Sequence, residues 1–421
     1  MVSCTQSSDS SVAAESLHSR LSTWLLRPYL DLGPFIAGPL HAAAIEECWR
    51  AVVDLDGPQF IAQRALAPGF RKQLAEEAGA SFALSDPREL PDRYRTDRWR
   101  YLCDALDDWH GLSGDRRCRL ASLLHSMCLY QPLLELIPDS GFDARRADTF
   151  AVQLAFWRAS AKFMQNVPNR IDADMSVFED IALNALHTAP AAFNAIAMIF
   201  VYKAKTGAAL TDLVDWGRRY EHALAIATRD ADKFTAELLT SRFYRGIGFL
   251  PQRRDDRNEV VRTMDLAERH ALNMKPATPA QELLYRENLH ALMESRTKEA
   301  LWLDDLDQAL ARSLRVIEVD PYDAKAWVEL GEVRYFRKQW QEAAQAYVNA
   351  AMLGPPASVI ARYMAGVCFR ELGQDMLAAF FLKDTLELDQ VGISSREEIR
   401  ALPDVGVLKV LKQWNHCTTI L

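Results

Sequence analysis

Apolar residues recur at spacings of three and four along nearly the whole chain. This period places them on one face of an α-helix, whereas a half-buried β-strand would alternate apolar and polar residues. Convincing runs of Val, Ile and Thr bounded by turn residues are not found in the sequence. The pattern therefore predicts an all-α protein.

Three predicted helices begin with a capping box, in which a side-chain acceptor precedes a Glu or Gln by three residues. These starts pair Asp86 with Glu89, Thr278 with Gln281, and Ser395 with Glu398. In the first two, Pro follows the cap at the first helical position, where its missing N–H costs nothing. The capping boxes fix helix boundaries and carry no chemistry of their own.

A spaced pattern of small and large residues between 323 and 389 recurs after 35 residues. Gly331 and Ala343 are twelve residues apart, and Gly366 and Ala378 repeat that spacing. Such a Gly allows two helices to approach closely, and the Ala fits the tight contact. The first copy consists of Trp327, Leu330, Gly331, Ala343, Tyr347, Ala350 and Pro355.

This pattern resembles the tetratricopeptide repeat (TPR) family, whose helix–turn–helix unit of about 34 residues carries W-x₂-L-G-x₂-Y, then A-x₃-F, A and P. The first copy departs at Arg334, where the family prefers Tyr. The second copy has Arg362 or a neighbour at the Trp position and Thr385 at an Ala position. The resemblance implies an α-solenoid of divergent TPR-like helix pairs.

Weaker helix pairs precede these two repeats. Their periodicity predicts helices over 191–205 and 210–227, over 234–249 and 257–274, and over 279–301 and 305–321. We therefore expect a disordered tail over 1–14, an N-terminal helical region over 15–175, TPR-like repeats over 176–389 and capping helices over 390–421. The first 175 residues carry no repeat signature, so they form either a separate bundle or very divergent repeats.

The composition of the 421 residues is that of an ordinary globular protein, with 49 basic and 57 acidic residues and a net charge of −8. Seven scattered Cys without a C-x-x-C pair favour a reducing, cytoplasmic location over a disulfide framework. Neither a secretory signal nor a membrane segment is predicted. Common nucleotide-binding, zincin and serine-hydrolase motifs are not found, so we expect no cofactor.

The resemblance implies that the first helix of each repeat lines a concave groove that binds a protein or peptide segment. By register, the first repeat contributes Lys325, Val328, Glu329, Glu332, Tyr335 and Phe336, and the second contributes Ile360, Tyr363, Met364, Val367 and Arg370. The family's clamp for a C-terminal carboxylate uses Lys and Asn where this chain has Val328 and Glu332. Glu329 and Glu332 would instead suit a basic partner.

The alternative to a binding scaffold is an enzyme or a substrate-presenting subunit. Asp104, Asp107 and Asp108 share one predicted helix face, with His110 next to it, and could hold a metal or a diphosphate if other carboxylates faced them. A solvent-exposed helix face explains the same residues. A second alternative is a peptide-responsive regulator, although no DNA-recognition helix is evident.

Two further patterns could indicate a ligand site but are explained equally well as ordinary structural residues. His125 with Cys128 supplies two of the four ligands of a structural zinc, so we expect no metal. The segment 93–101 interleaves four Arg with three aromatic residues, which could stack bases, but Arg side chains covering apolar surface explain it equally well. Nucleic acid is therefore not the expected partner.

Overall fold

The computed structural model describes residues 46, 49–50, 85–127, 129–138, 141–165, 174–353, 357–388, 397–398 and 402. Within them every regular element is a helix, which confirms the all-α prediction. None of the described helices is both long and apolar enough to cross a membrane. The predicted tail and most of the predicted capping region, with the helix start at Ser395, lie outside the described residues. So do Cys128 and two other His residues that neighbour possible metal ligands in the sequence, His41 and His416.

The described residues form two compact units, which divide between Leu292 and Met293, inside the predicted repeat region. In the first unit the helices are α1 Asp97–Asp107, α2 Gly114–Ser126, α3 Gln131–Leu136, α4 Thr149–Gln165, α5 Ser176–Asn184, α6 Ala189–Lys205, α7 Leu210–Thr228, α8 Lys233–Ile247, α9 Phe249–Arg253 and α10 Arg257–Asn273. Short 3₁₀ helices cover Pro87–Glu89, Asp92–Tyr94 and Trp109–Gly111.

The division falls within α11, which covers Pro279–Trp302. The later helices of the second unit are α12 Leu306–Val319, α13 Ala324–Phe336, α14 Trp340–Leu353, α15 Ser358–Glu371 and α16 Asp375–Leu388. The predicted helix pairs over 191–227, 234–274, 279–321 and 323–389 are thereby confirmed, with small shifts at their ends.

Consecutive helices of the first unit pack on one another from α5 to α8, and α8 packs on α10. Their core is a chain of aromatic contacts. The ring of Tyr220 on α7 lies 5.1 Å from Phe193 on α6 and 4.9 Å from Phe243 on α8. Phe156 on α4 contacts Phe178 on α5 at 5.5 Å. Large buried rings thus join neighbouring helix pairs.

The second unit repeats one packing arrangement. Helix α13 packs on α14, α14 on α15 and α15 on α16, and α13 also contacts α15. A Cβ on Gly331 would lie 2.7 Å from the ring of Tyr347, and one on Gly366 would lie 2.7 Å from Leu382. The two spaced glycines therefore mark the close approach of first and second helices, as the sequence predicts.

Two of the three predicted helix starts, at Asp86 and Thr278, lie among the described residues, and each of these side chains caps a helix. Gln281 donates its backbone N–H to Thr278 Oγ1, and Ala277 donates to the Gln281 side chain. The Asp86 capping box is formed, but it starts a 3₁₀ turn rather than an α-helix. The polar residues 251–256 lie between two predicted helices, so the sequence predicts a loop there. This prediction is wrong for 251–253, which belong to α9, with Pro251 in the first turn, where a Pro is tolerated.

Candidate functional site

The predicted groove positions lie on α13 and α15, the first helices of the two repeats. We call this set of side chains the first-helix face; it comprises Lys325, Val328, Glu329, Glu332, Tyr335, Phe336, Ile360, Tyr363, Met364, Val367 and Arg370. Phe336 is 53% exposed and Ile360 is 47% exposed, which is high for large apolar side chains. Val367 is 5% exposed and presents little surface to a ligand.

Aromatic contacts hold part of this face in place. Tyr335 is half-buried, and its ring makes an edge contact with Trp340 on α14 at 4.9 Å. The neighbouring ring of Phe336 lies 6.3 Å from Tyr335. Val328, Tyr335, Tyr363 and Met364 are partly buried against the core of the unit. Their inner edges therefore anchor the face while their outer edges remain accessible.

Opposite charges on α11 and α13 form a network across these two first helices. Lys298 Nζ lies 3.2 Å from Glu329 Oε1, and Lys325 Nζ lies 3.2 Å from Glu294 Oε1 and 3.6 Å from Glu329 Oε1. Glu329 is 9% exposed. The sequence suggested that Glu329 binds a basic partner. Its nearly buried position does not fit that expectation, because the charge of Glu329 is already compensated by Lys298 and Lys325.

Glu332 differs from Glu329 in this respect. It is exposed, and no hydrogen bond or ion pair engages its carboxylate in the part of the chain that the structure describes. Neighbouring side chains exclude water from the Glu332 carboxylate, and this desolvation is the main cause that raises its pKa. The negative charge of Glu329 raises the pKa further, and the positive charge of Lys298 partly opposes the shift. Among the described residues, Glu332 thus carries the negative charge of the first-helix face that no ion pair engages.

Arg370 marks the far end of the face on α15. Its guanidinium lies 2.7 Å from Glu371 and also forms an ion pair with Glu398. Both partners offset its charge. Arg370 is therefore engaged within the chain and is less suited than Glu332 to select a charged ligand.

The acidic residues of the alternative enzyme site lie around the end of α1. Asp104, Asp107, Asp108 and His110 are all exposed. Asp107 Oδ1 lies 3.6 Å from Arg88 Nη1, a distance typical of a weak surface ion pair. This placement in solvent corresponds to the exposed-face interpretation of the cluster.

His125 lies in the core of the first unit. Its Nε2 is 2.8 Å from Ser160 Oγ, and its ring lies 4.8 Å from that of Trp157. Complete burial lowers the pKa of His125 to about 4. The side chain is therefore a neutral, packed core residue.

The Arg-rich segment 93–101 makes internal contacts. Arg95 donates to the backbone oxygens of Leu90 and Arg88, and Arg98 forms a bidentate pair with Glu46 at 2.6 and 2.8 Å. Trp99 is buried and donates to a backbone oxygen at 2.8 Å. These contacts give the segment a structural role, as in the alternative interpretation of the sequence.

Sequence reasoning did not include Glu294 and Lys298 in the groove. The signal was present, since both residues lie in the predicted helix over 279–301, which is the first helix of the pair that precedes the two repeats. Their pairing with Lys325 and Glu329 depends on how α11 and α13 pack. A single sequence does not fix such packing between side chains far apart in the chain.

Comparisons with known proteins give weak similarities. No family model and no curated protein matches the chain. One similar solved structure is YrrB, described as a TPR protein with an unusual peptide-binding site; it is 18% identical, with 47% of this chain and 89% of that chain covered and a TM-score of 0.32. Another is the APC/C hetero-tetramer Cut9–Hcn1, which is 14% identical, with coverages of 72% and 59% and a TM-score of 0.28. Neither similarity bears on the site; this chain is an all-α protein of paired helices with TPR-like spacing.

Proposed function

We propose that this protein is a binding scaffold that holds a segment of a partner protein along its first-helix face. The observation that carries the proposal is the pair of exposed apolar side chains, Phe336 and Ile360, on the first helices of consecutive repeats. Exposed apolar groups backed by rigid aromatic side chains are typical of surfaces that bury the anchors of a peptide. Tyr335 supplies such a ring beside Phe336, at 6.3 Å.

The partner segment carries a Lys or Arg that pairs with Glu332. Glu332 is exposed and forms no ion pair with another described residue, whereas Glu329 and Arg370 do form ion pairs. A ligand cation would therefore gain a pairing partner without breaking an existing ion pair. The protein itself acts in a reducing compartment such as the cytoplasm, which suits the buried free thiols of Cys103, Cys118 and Cys368.

A random-peptide display selection against the full chain tests the scaffold function. Selected peptides should bind the wild type and lose at least about tenfold in affinity for the Phe336→Ser/Ile360→Ser variant. The matched control is Met376→Ser/Leu377→Ser, which removes side chains that are 51% and 43% exposed on α16 of the same unit. Both variants change exposed positions, so both should fold.

The outcomes separate clearly. Peptides that bind the wild type and the control but not the first-helix variant support the proposal. Failure to enrich any peptide, or equal binding to both variants, would refute it. If enriched peptides contain Lys or Arg, Glu332→Gln should weaken them about fivefold, the effect of losing one exposed ion pair of about 1 kcal/mol.

A further inference from the structure

A cavity of about 670 Å³ lies in the first unit, and none of its lining residues belongs to the proposed scaffold site. Its walls come from α7, α8, α9 and α10. Tyr244, Ile247, Leu250 and Leu266 contribute half-buried apolar surface to it. The volume is within the range of ligand sites, and a floor of this kind accepts apolar side chains.

Four arginines surround this floor. Arg218 lies on α7, Arg254 follows α9, and Arg262 and Arg269 lie on α10. All four side chains are exposed, so their guanidinium groups lie at the rim of the cavity. A ligand bound to them would remain in contact with water on one side. Guanidinium groups at a partly apolar rim are suited to carboxylates, which they can bind through two parallel hydrogen bonds.

Three acidic residues also line the cavity, and they do not neutralise all four arginines. Asp256 caps α10 by accepting the backbone N–H of Glu259 at 3.0 Å, and Glu259 pairs with Arg262 at 2.6 Å. Glu221 also lines the cavity. Arg218 pairs outside the lining, with its Nη1 3.1 Å from an oxygen of Asp215.

Two arginines remain available. The guanidinium groups of Arg254 and Arg269 have no ion-pair or hydrogen-bond partner among the described residues. Their backbone positions are well separated, since Arg254 precedes α10 and the twelve residues from Arg257, where α10 begins, to Arg269 rise about 18 Å. About six residues of extended peptide match that length, which a single small carboxylate or phosphate does not.

We infer that this cavity is a second binding site, for an acidic peptide segment of a partner protein with apolar residues between its carboxylates. The carboxylates pair with Arg254 and Arg269, and the apolar residues enter the floor beside Ile247 and Leu266. The inference does not depend on the first-helix face, because all of its residues belong to the first unit.

Fluorescence polarisation on the full chain tests this site. The probe is a fluorescein-labelled peptide of about ten residues with two Glu at each end and Leu and Phe between them. We expect saturable binding at low ionic strength and a loss of at least about tenfold for Arg254→Glu/Arg269→Glu. Arg229→Glu/Lys233→Glu is the matched control, since it makes the same change in net charge at exposed positions outside the lining.

Two further arms examine the ligand chemistry and the floor. A peptide with Gln in place of Glu should bind at least about tenfold more weakly, and salt at about 0.5 M should weaken the Glu peptide, because exposed pairs are screened. Val214→Trp puts a large ring at a half-buried lining position and should reduce binding without changing net charge. Circular dichroism establishes that each variant folds.

Three results would overturn the inference. One is the lack of binding to the Glu peptide by the wild type. Another is equal binding by the Arg254→Glu/Arg269→Glu variant and its charge-matched control. The third is that the wild type self-associates and does not bind the peptide, whereas the arginine variant does not self-associate. The occupant of the cavity would then be a second copy of the chain.

Discussion

The ring of Tyr347 lies directly against the α-carbon of Gly331, so that a Cβ at this glycine would meet the ring at 2.7 Å. Tyr347 is 1% exposed, and its ring is enclosed by the packed helices of the second unit. The ring therefore cannot move away into solvent. The contact sets the distance between α13 and α14.

Gly331→Ala is expected to lower the stability of the second unit. Ala favours a helix over Gly by about 1 kcal/mol, but the new methyl group overpacks the contact at a cost of about 1–3 kcal/mol. We expect a net loss of up to about 2 kcal/mol, measured as the shift of the urea unfolding midpoint.

A double-mutant cycle provides the control for this substitution. In a Tyr347→Leu background the ring is gone, so Gly331→Ala should become neutral or stabilising because the helix preference of Ala then dominates. An equal loss of stability in both backgrounds would contradict the contact as the cause.

The glycine contact also shows what a single sequence can predict. Gly331 and Ala343, spaced by twelve, predicted both the helix pair and its close approach, because a repeat unit encodes its local packing in a fixed register. The same register left the Trp position of the next repeat open. There the structure places Arg362, buried beside Asp384 on α16. Which side chain replaces a missing Trp depends on a partner in another helix, and the sequence pattern does not identify that partner.

Arg362→Met should destabilise the second unit strongly. Arg362 and Asp384 have side chains that are 3% and 1% exposed, so the substitution removes a guanidinium from a carboxylate that water cannot reach. Removing one member of such a pair costs about 3–5 kcal/mol. The measurement is the free energy of unfolding from urea titration.

The second variant for this pair is Arg362→Met/Asp384→Leu. Because it replaces both charges with apolar groups, it should recover most of the lost stability. A double variant that is no more stable than Arg362→Met would contradict the ion pair as the source of the effect.

Acid should weaken the first unit through His125. Burial lowers the pKa of this histidine to about 4 in the folded protein, whereas an unfolded histidine titrates near about 6.5. As the pH falls from about 6.5 to about 4, His125 binds a proton in the unfolded state but stays neutral in the folded state. The free energy of unfolding therefore decreases. From pH 7 to pH 5 we expect a loss of about 2 kcal/mol from this group.

His125→Gln should flatten the pH dependence of the unfolding free energy over that range while keeping a group that can hydrogen-bond to Ser160. The control is His187→Gln, the same substitution at an exposed position in the same unit, which should flatten the slope less than His125→Gln does. Equal slopes for the wild type and His125→Gln would show that another group causes the acid sensitivity.

Glu329 and Glu332 lie one turn apart on α13, and their removal should change stability in opposite directions. Glu329→Gln breaks ion pairs with Lys298 and Lys325 at 3.2 and 3.6 Å from a side chain that is 11% exposed, so it should cost about 1 kcal/mol. Glu332→Gln removes an acid whose pKa is raised by desolvation and by Glu329. Because the folded state favours the protonated form of Glu332, its charged form is destabilising above its pKa.

Neutral pH should therefore show a small gain for Glu332→Gln, below about 0.5 kcal/mol after solvent screening. This gain should vanish as the pH falls and Glu332 takes up its proton, and both substitutions should have smaller effects at high salt. Urea titrations of the two variants at pH 7 and pH 4 measure the difference. Destabilisation by Glu332→Gln at pH 7 would mean that the Glu332 carboxylate is already paired within the protein. That result would also contradict the proposed pairing of Glu332 with a basic ligand.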